Sequence, residues 1–150
     1  MLPDSIRDKI IFELESLERE MHATEALFTK LLNNEPDQVE IRAAASTLHS
    51  FYNGVENTFS AVSRYVDGSF PEDERWHLSL LRLMTVPSER RAPVISETLR
   101  KSLEKYLAFR HFYRHSYGFA LDWEQIKPLC HSLKTTYNLF KKEISDFIGM

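Results

Sequence analysis

The sequence has few of the residues that mark disulfide-linked, sheet-rich or membrane proteins. A single cysteine, Cys130, excludes an internal disulfide, which fits a reducing environment, and we expect a cytoplasmic location. Only 4 glycines and 6 prolines argue against an all-β protein with many tight turns. The first ten residues carry charges and no apolar run, so we expect no signal peptide, and no segment suggests a membrane span.

Several catalytic signatures are also absent from the 150 residues. There is no glycine-rich phosphate loop, no G-x-S-x-G elbow, no C-x-x-C pair and no acidic metal cluster. Their absence argues against most nucleotide-hydrolysing and metal-dependent classes of enzyme. The net charge of −3 also differs from the basic excess of a general nucleic-acid binder, so any RNA-binding surface must be local.

Hydrophobic periodicity predicts an all-α protein, an up-and-down bundle of about five helices that forms one domain over residues 1–150. The predicted helices span about 4–33, 37–66, 72–84, from 93–95 to about 115, and from 123 onward. Gly54 lies within the second helix, whose apolar period continues through it, and we expect a close approach of another backbone there. Cys130 is predicted to be a core residue. Arg90 and Arg91 fall in a charged linker, which we interpret as a solvated loop, with a contribution to an RNA-facing patch as the alternative.

Residues 110–118 place two arginines, two histidines and three aromatic residues within nine positions. A histidine can transfer a proton near neutral pH, and an arginine can hold a phosphate through its planar fork. Together they indicate chemistry at a phosphodiester. Cations also dominate residues 100–115, where Glu104 is the one acid; the cations are Arg100, Lys101, Lys105, Arg110 and Arg114. This pattern predicts a small RNA-facing patch, with a solvated helix face as the alternative.

Arg110 falls on the apolar stripe of its own predicted helix, where a charged side chain needs a partner. One interpretation pairs it with a core carboxylate such as Glu56, and the other leaves it in a cleft for a phosphate. His115 lies roughly 140° away on an ideal helix, so the two residues share a face only if the helix ends or bends. Gly118 predicts a helix end between His115 and Tyr117.

Two residue pairs have spacings that metal sites use. Glu74 and His77 have the spacing of a carboxylate–histidine pair, but the sequence lacks the second such pair of a di-metal bundle. His111 and His115 are four residues apart, but Phe112 stands where a zincin motif has glutamate. We therefore expect no metal and no cofactor, and we interpret His77 as a helix-surface or interface residue.

Arg110, His115 and Tyr117 form the pattern R-x4-H-x-Y. This pattern resembles the signature of the HEPN superfamily of metal-independent ribonucleases, and its tyrosine form resembles HepT-type toxins of prokaryotic toxin–antitoxin pairs. The phrases Leu48–Glu56 and Trp76–Leu81 also look like this family. The resemblance implies a homodimer in which two motifs meet in one cleft. It also implies an antitoxin of the minimal nucleotidyltransferase type, which can transfer AMP to Tyr117.

The predicted function is RNA cleavage without a metal. The 2′-hydroxyl of RNA would attack phosphorus while His115 assists proton transfer and Arg110 stabilises the developing charge. The products would be a 2′,3′-cyclic phosphate and a free 5′-hydroxyl, and DNA would be spared. The RNA-binding candidates are His111, Arg114 and Lys105, and the supporting candidate is Glu56. The alternative function is a non-catalytic helical dimer that binds protein or RNA.

Overall fold

The computed structural model describes residues 2–150, which form six α-helices and no β-sheet. The prediction of an all-α bundle is confirmed. In chain order the helices are α1 (Asp4–Ala23), α2 (Glu25–Leu31), α3 (Gln38–Ala61), α4 (Trp76–Leu83), α5 (Glu97–Arg114) and α6 (Trp123–Ile148). A π-helical turn, Val62–Asp67, extends α3, and a 3-10 turn, Gly118–Ala120, precedes α6. Among the described residues, every helix is too short or too polar to cross a membrane.

The central helix of the bundle is α3, which packs against α1, α4, α5 and α6. A reciprocal capping box fixes its start, because the Asp37 carboxylate accepts from the Glu40 N–H at 2.8 Å and the Glu40 carboxylate accepts from the Asp37 N–H at 3.0 Å. Phe51 and Phe59 are fully buried, and both rings meet Phe140 of α6 edge to face. Since α3 is covered on several sides, the polar groups that it carries inward need partners inside the protein.

The first predicted helix divides at Thr24, which is why the bundle has six helices. Thr24 has φ −104° and ψ 4°, outside the helical range, and its hydroxyl donates to the Glu20 carbonyl at 2.9 Å. A threonine hydroxyl that bonds back to the preceding turn competes with regular helix geometry. The periodicity concealed this break because Phe28 and Leu31, beyond it, still pack on the core.

Gly54 is the position at which α3 comes closest to a side chain of α1. A Cβ atom built on Gly54 would lie 2.6 Å from Cδ2 and 2.8 Å from Cγ of Leu17, nearer than real Cβ contacts. The expected close approach is therefore present, but Leu17 makes it with its side chain and not with its backbone. The glycine provides space for the packing of two helices.

The π-helical turn after α3 carries Asp67 to a buried ion pair. Gly68 ends the turn in the left-handed region, with φ 74°. The Asp67 carboxylate then accepts from Arg91 Nε at 2.9 Å and from Arg91 Nη2 at 2.8 Å. The interpretation of the linker as a solvated loop is wrong for Arg91, whose side chain is only 3% exposed. Arg91 holds the linker to the bundle and is not available to RNA.

Cys130 lies in the core face of α6, as predicted. Burial raises the pKa of its thiol to about 12. The thiol is therefore protonated at neutral pH, and a protonated thiol is a poor nucleophile.

We predict that Gly54→Ala destabilises the protein although alanine is the better helix former. The new methyl group meets Leu17, and overpacking costs about 1–3 kcal/mol, against a gain of about 1 kcal/mol in helix propensity. Urea unfolding measures the resulting change in the free energy of unfolding. In a Leu17→Ala background the obstacle is gone, so Gly54→Ala should there stabilise the protein by up to about 1 kcal/mol. Equal destabilisation in both backgrounds would contradict this account.

Candidate functional site

The R-x4-H-x-Y motif spans the C-terminal end of α5. Arg110 lies inside the helix, His115 is the residue at its C-cap, and Tyr117 lies three residues beyond its last residue. The predicted helix end is therefore confirmed. Gly118 does not end the helix in a left-handed conformation, because it is not among the glycines with positive φ. The chain instead leaves α5 at His115, which has φ −112° and ψ 9°.

The two predicted catalytic side chains lie in different environments. The Arg110 side chain faces α3 and is 14% exposed, whereas His115 is exposed. No hydrogen bond joins them within residues 2–150. The His111 ring lies 4.9 Å from the His115 ring, edge to face, and the described residues contain no group of three side chains that could hold a metal ion.

Arg110 is oriented by two side chains of α3. Its Nε–H donates to Asn53 Oδ1 at 2.9 Å, and its Nη2 lies 3.7 Å from Glu56 Oε1. Asn53 and Glu56 are three residues apart, so both project from the same side of α3. The 3.7 Å separation is an ion pair and not a hydrogen bond, so the outer nitrogens of Arg110 make no hydrogen bond within the described chain.

Glu56 is a buried carboxylate, and its second oxygen pairs with His77 of α4. His77 Nδ1 lies 2.6 Å from Glu56 Oε2, and the ring of Trp76 stacks on the His77 ring at 3.6 Å. His77, which the sequence indicates as a helix-surface or interface residue, has a side chain that is 26% exposed and contacts Glu56 of the neighbouring α3. The spacing of Asn53 and Glu56 on α3 could have indicated an inward polar face, but no sequence signal identified His77 as their neighbour.

A further histidine, His49, extends the cluster along α3. Asn53 Oδ1 accepts from Arg110, so the Asn53 amide nitrogen is the atom that faces His49 Nε2, at 3.1 Å. This assignment leaves the proton of a neutral imidazole on Nδ1. Nδ1 is buried and has no hydrogen-bond partner in residues 2–150. The His49 ring also lies 5.0 Å from the ring of Tyr113.

Burial and the neighbouring positive charges lower the pKa of His49. Burial is the largest cause, and the positive charges of Arg110 and Arg114 follow. His49 is therefore neutral at pH 7, in agreement with the hydrogen that it accepts from Asn53. The site combines a paired carboxylate, an oriented arginine and a neutral histidine.

The predicted cationic patch is smaller than the sequence suggested. Arg100 bonds to Glu97 at 2.5 Å and to Glu104 at 2.6 Å, so its charge is compensated along its own helix. Lys105 and Arg114 are exposed, as is His111. Positive charge without an ion-pair partner among the described residues therefore remains on Lys101, Lys105 and Arg114, and Arg114 lies next to the motif.

Comparison with protein-family models gives a match that covers most of the chain. A family model described as HepT-like protein matches residues 43–150, a span that contains α3 almost whole and all of α4, α5 and α6. Every residue of the cluster around Arg110 falls inside that span. No curated protein and no solved structure matches significantly.

We predict that His49 titrates below its ordinary pKa of 6.5. Between the lowered folded value and 6.5 the unfolded chain binds more protons, so stability should fall as pH decreases through this window. NMR titration of the His49 ring and urea unfolding at several pH values measure the two effects. Arg110→Met should raise the pKa of His49 only in part, because burial is the larger cause.

The control for this titration is His49→Gln, which removes the ring, so stability should depend less on pH in this window. A pKa of His49 at or above 6.5 would contradict the arrangement of Asn53 and His49 described above.

Proposed function

The chain belongs to the HepT-like family, within the HEPN superfamily, and we propose that it is a metal-independent endoribonuclease toxin in which Arg110 and His115 act on RNA. Membership of this family points to a toxin-like ribonuclease in general. The proposal adds the two catalytic residues, the independence from metal and the toxin–antitoxin setting.

The observation that supports the proposal most directly is that Arg110 has a fixed orientation and unused N–H donors. Its Nε is fixed by Asn53, and Glu56 stands 3.7 Å from Nη2, so the guanidinium has a defined orientation. Its outer nitrogens remain free of hydrogen bonds within residues 2–150. A preoriented cation with unused N–H donors is suited to bind the charge that develops on phosphorus in a transition state.

The proposed reaction uses the nucleophile that RNA carries. The 2′-oxygen bonds to phosphorus and loses its proton, and the bond from phosphorus to the 5′-oxygen breaks as that oxygen gains a proton. The products are a 2′,3′-cyclic phosphate and a free 5′-hydroxyl. His115, exposed at the helix terminus, is the group that moves protons.

A homodimer is part of the proposal. One chain presents one arginine inside α5 and one histidine at its end, and their side chains face different surroundings. A two-fold interface presents the same patch twice, so two chains would bring two of each residue to one cleft. The doubled cationic patch would also explain how a chain of net charge −3 holds RNA.

A second candidate function is a non-catalytic dimer that binds a protein or RNA. The proximity of Glu56 to Arg110 favours it, because an arginine that only compensates a buried carboxylate needs no substrate. The two functions differ in whether Arg110 and His115 are required for RNA cleavage.

We predict that Arg110→Ala and His115→Ala each reduce RNA cleavage by at least about 10²-fold. The wild-type rate should be the same with and without EDTA. Cleavage of a labelled RNA, with end-group analysis for the cyclic phosphate, measures both effects. Arg19→Ala and His131→Ala change exposed residues outside the motif and are the matched controls.

Circular dichroism and thermal unfolding separate loss of activity from loss of fold, which matters because Arg110 also compensates Glu56. A folded His115→Ala protein that cuts RNA at the wild-type rate would contradict the mechanism and favour the binding function.

We predict that a cognate nucleotidyltransferase with ATP adds AMP to Tyr117. Tyr117 is 76% exposed and lies beyond the helix end, so an enzyme can reach its hydroxyl. Mass spectrometry should find the added mass on wild type and not on Tyr117→Phe. Tyr65, which is 54% exposed on the π-helical turn, is the control tyrosine. Modification of Tyr65 with Tyr117 untouched would contradict the prediction.

A further inference from the structure

A small cavity lies where the loop after α5 meets α3. Its volume is about 400 Å³, and it is lined by Arg42, His49, Tyr113, Arg114, Ser116, Gly118 and Leu121. Two of these residues come from α3, and the others come from the end of α5 and the loop that follows. Arg42 and the cavity itself have no part in the reaction proposed above.

The lining of this cavity is cationic. It includes two arginines, and none of the described residues that line it is acidic. Three larger cavities each include two carboxylates, which are Glu143 and Asp146, Glu18 and Glu25, and Asp8 and Glu13. In a chain of net charge −3, the local excess of positive charge makes this cavity suited to an anion.

The guanidinium of Arg42 packs against Gly118. A Cβ atom built on Gly118 would lie 3.0 Å from Arg42 Nε and 3.1 Å from Arg42 Cζ, so the guanidinium rests directly against the loop. The Gln38 side chain also donates to the Gly118 carbonyl at 3.1 Å. Because Gly118 lacks a positive φ, it is the missing side chain that matters here. Arg114, at the end of α5, and Arg42, which packs against Gly118, thus lie beside one cavity.

Two aromatic residues flank Gly118 on the same loop. The rings of Tyr117 and Phe119 are stacked, with centroids 5.5 Å apart and planes at 9°, and they are 76% and 74% exposed. Proteins that bind single-stranded nucleic acid combine aromatic faces, which stack on bases, with cations that follow the phosphates. The exposed rings of Tyr117 and Phe119, next to the cavity with its two arginines, give the same combination of aromatic faces and cations.

The cavity is also continuous with the cluster around Arg110. His49 lines it, and His49 is joined to Arg110 through the two hydrogen bonds of Asn53. A phosphate held by Arg42 and Arg114 would therefore lie next to His49, which bonds to the same asparagine that orients Arg110.

We propose that the Arg42–Arg114 cavity and the stacked Tyr117–Phe119 rings form a subsite for one unpaired RNA nucleotide. The arginines hold its phosphate, and its base stacks on the exposed rings. This inference rests on the proposed ribonuclease function and narrows its substrate class to single-stranded RNA. Paired bases are excluded, because a base that stacks on a side chain must leave its own helix.

The test measures binding with RNA that cannot be cleaved. The probes are a fluorescent 2′-O-methyl uridine octamer, the same octamer in a duplex, and an abasic octamer of equal length, each followed by fluorescence anisotropy. Wild type should bind the single strand more tightly than the duplex or the abasic strand. Arg42→Ala should weaken binding of the single strand and the abasic strand alike, by about tenfold, since both carry phosphates.

Phe119→Ala should weaken binding of the uridine octamer by about fivefold or more and leave the abasic octamer unaffected, because only the former has bases to stack. Gly118→Ala should act like a milder Arg42→Ala, since the new methyl group displaces the guanidinium. The matched controls are Arg19→Ala and Phe12→Ala, two exposed residues of α1 that do not line the cavity. Both should bind every probe as wild type does.

Two results would overturn the subsite. Equal wild-type binding of the uridine and abasic octamers would show that the rings do not stack on bases. Unchanged RNA binding by Phe119→Ala, with a changed oligomeric state in light scattering, would assign the rings to a protein interface. Cleavage of unmodified RNA is assayed separately. A wild type that shows the predicted binding pattern without cleavage would contradict the ribonuclease function and support the subsite.

Discussion

The buried carboxylate of Glu56 is the charge on which the arrangement of α3, α4 and α5 depends. It is 7% exposed, and a carboxylate removed from water costs several kcal/mol unless it is paired. His77 supplies one partner from α4 and Arg110 the other from α5. A helix of eight residues such as α4 has little stability alone, so this pairing contributes to holding it on the bundle. The same requirement orients Arg110.

An arginine in this position can serve the fold and the chemistry together. Its Nε is fixed by Asn53, and its charge balances Glu56, while the outer nitrogens make no hydrogen bond within residues 2–150. Catalysis that depends on fixed charges needs such orientation before the substrate arrives, because reorganisation during the reaction raises the barrier. The structural and catalytic interpretations of Arg110 from the sequence are therefore compatible.

Periodicity was sufficient to predict the bundle, because the apolar stripes of α3, α5 and α6 are long and regular. It could not predict the break at Thr24, where a local side-chain bond competes with a pattern that continues in phase. Nor could it place His77, which is 21 residues from Glu56, or Arg91, which is 24 residues from Asp67. Both pairs depend on how separate segments meet, and a helical pattern fixes only which face a residue occupies. The motif itself was visible because its residues are close in sequence.

The loop beyond α5 has few attachments to the rest of the molecule. Gln38 bonds to the Gly118 carbonyl, and Arg42 rests against the same glycine, whereas the rings of Tyr117 and Phe119 face solvent. Free energy stored in so few contacts is small compared with that of the core, so this segment should open locally many times for each global unfolding event. A substitution in this loop, or a covalent group added to it, should therefore change the free energy of unfolding of the helices very little.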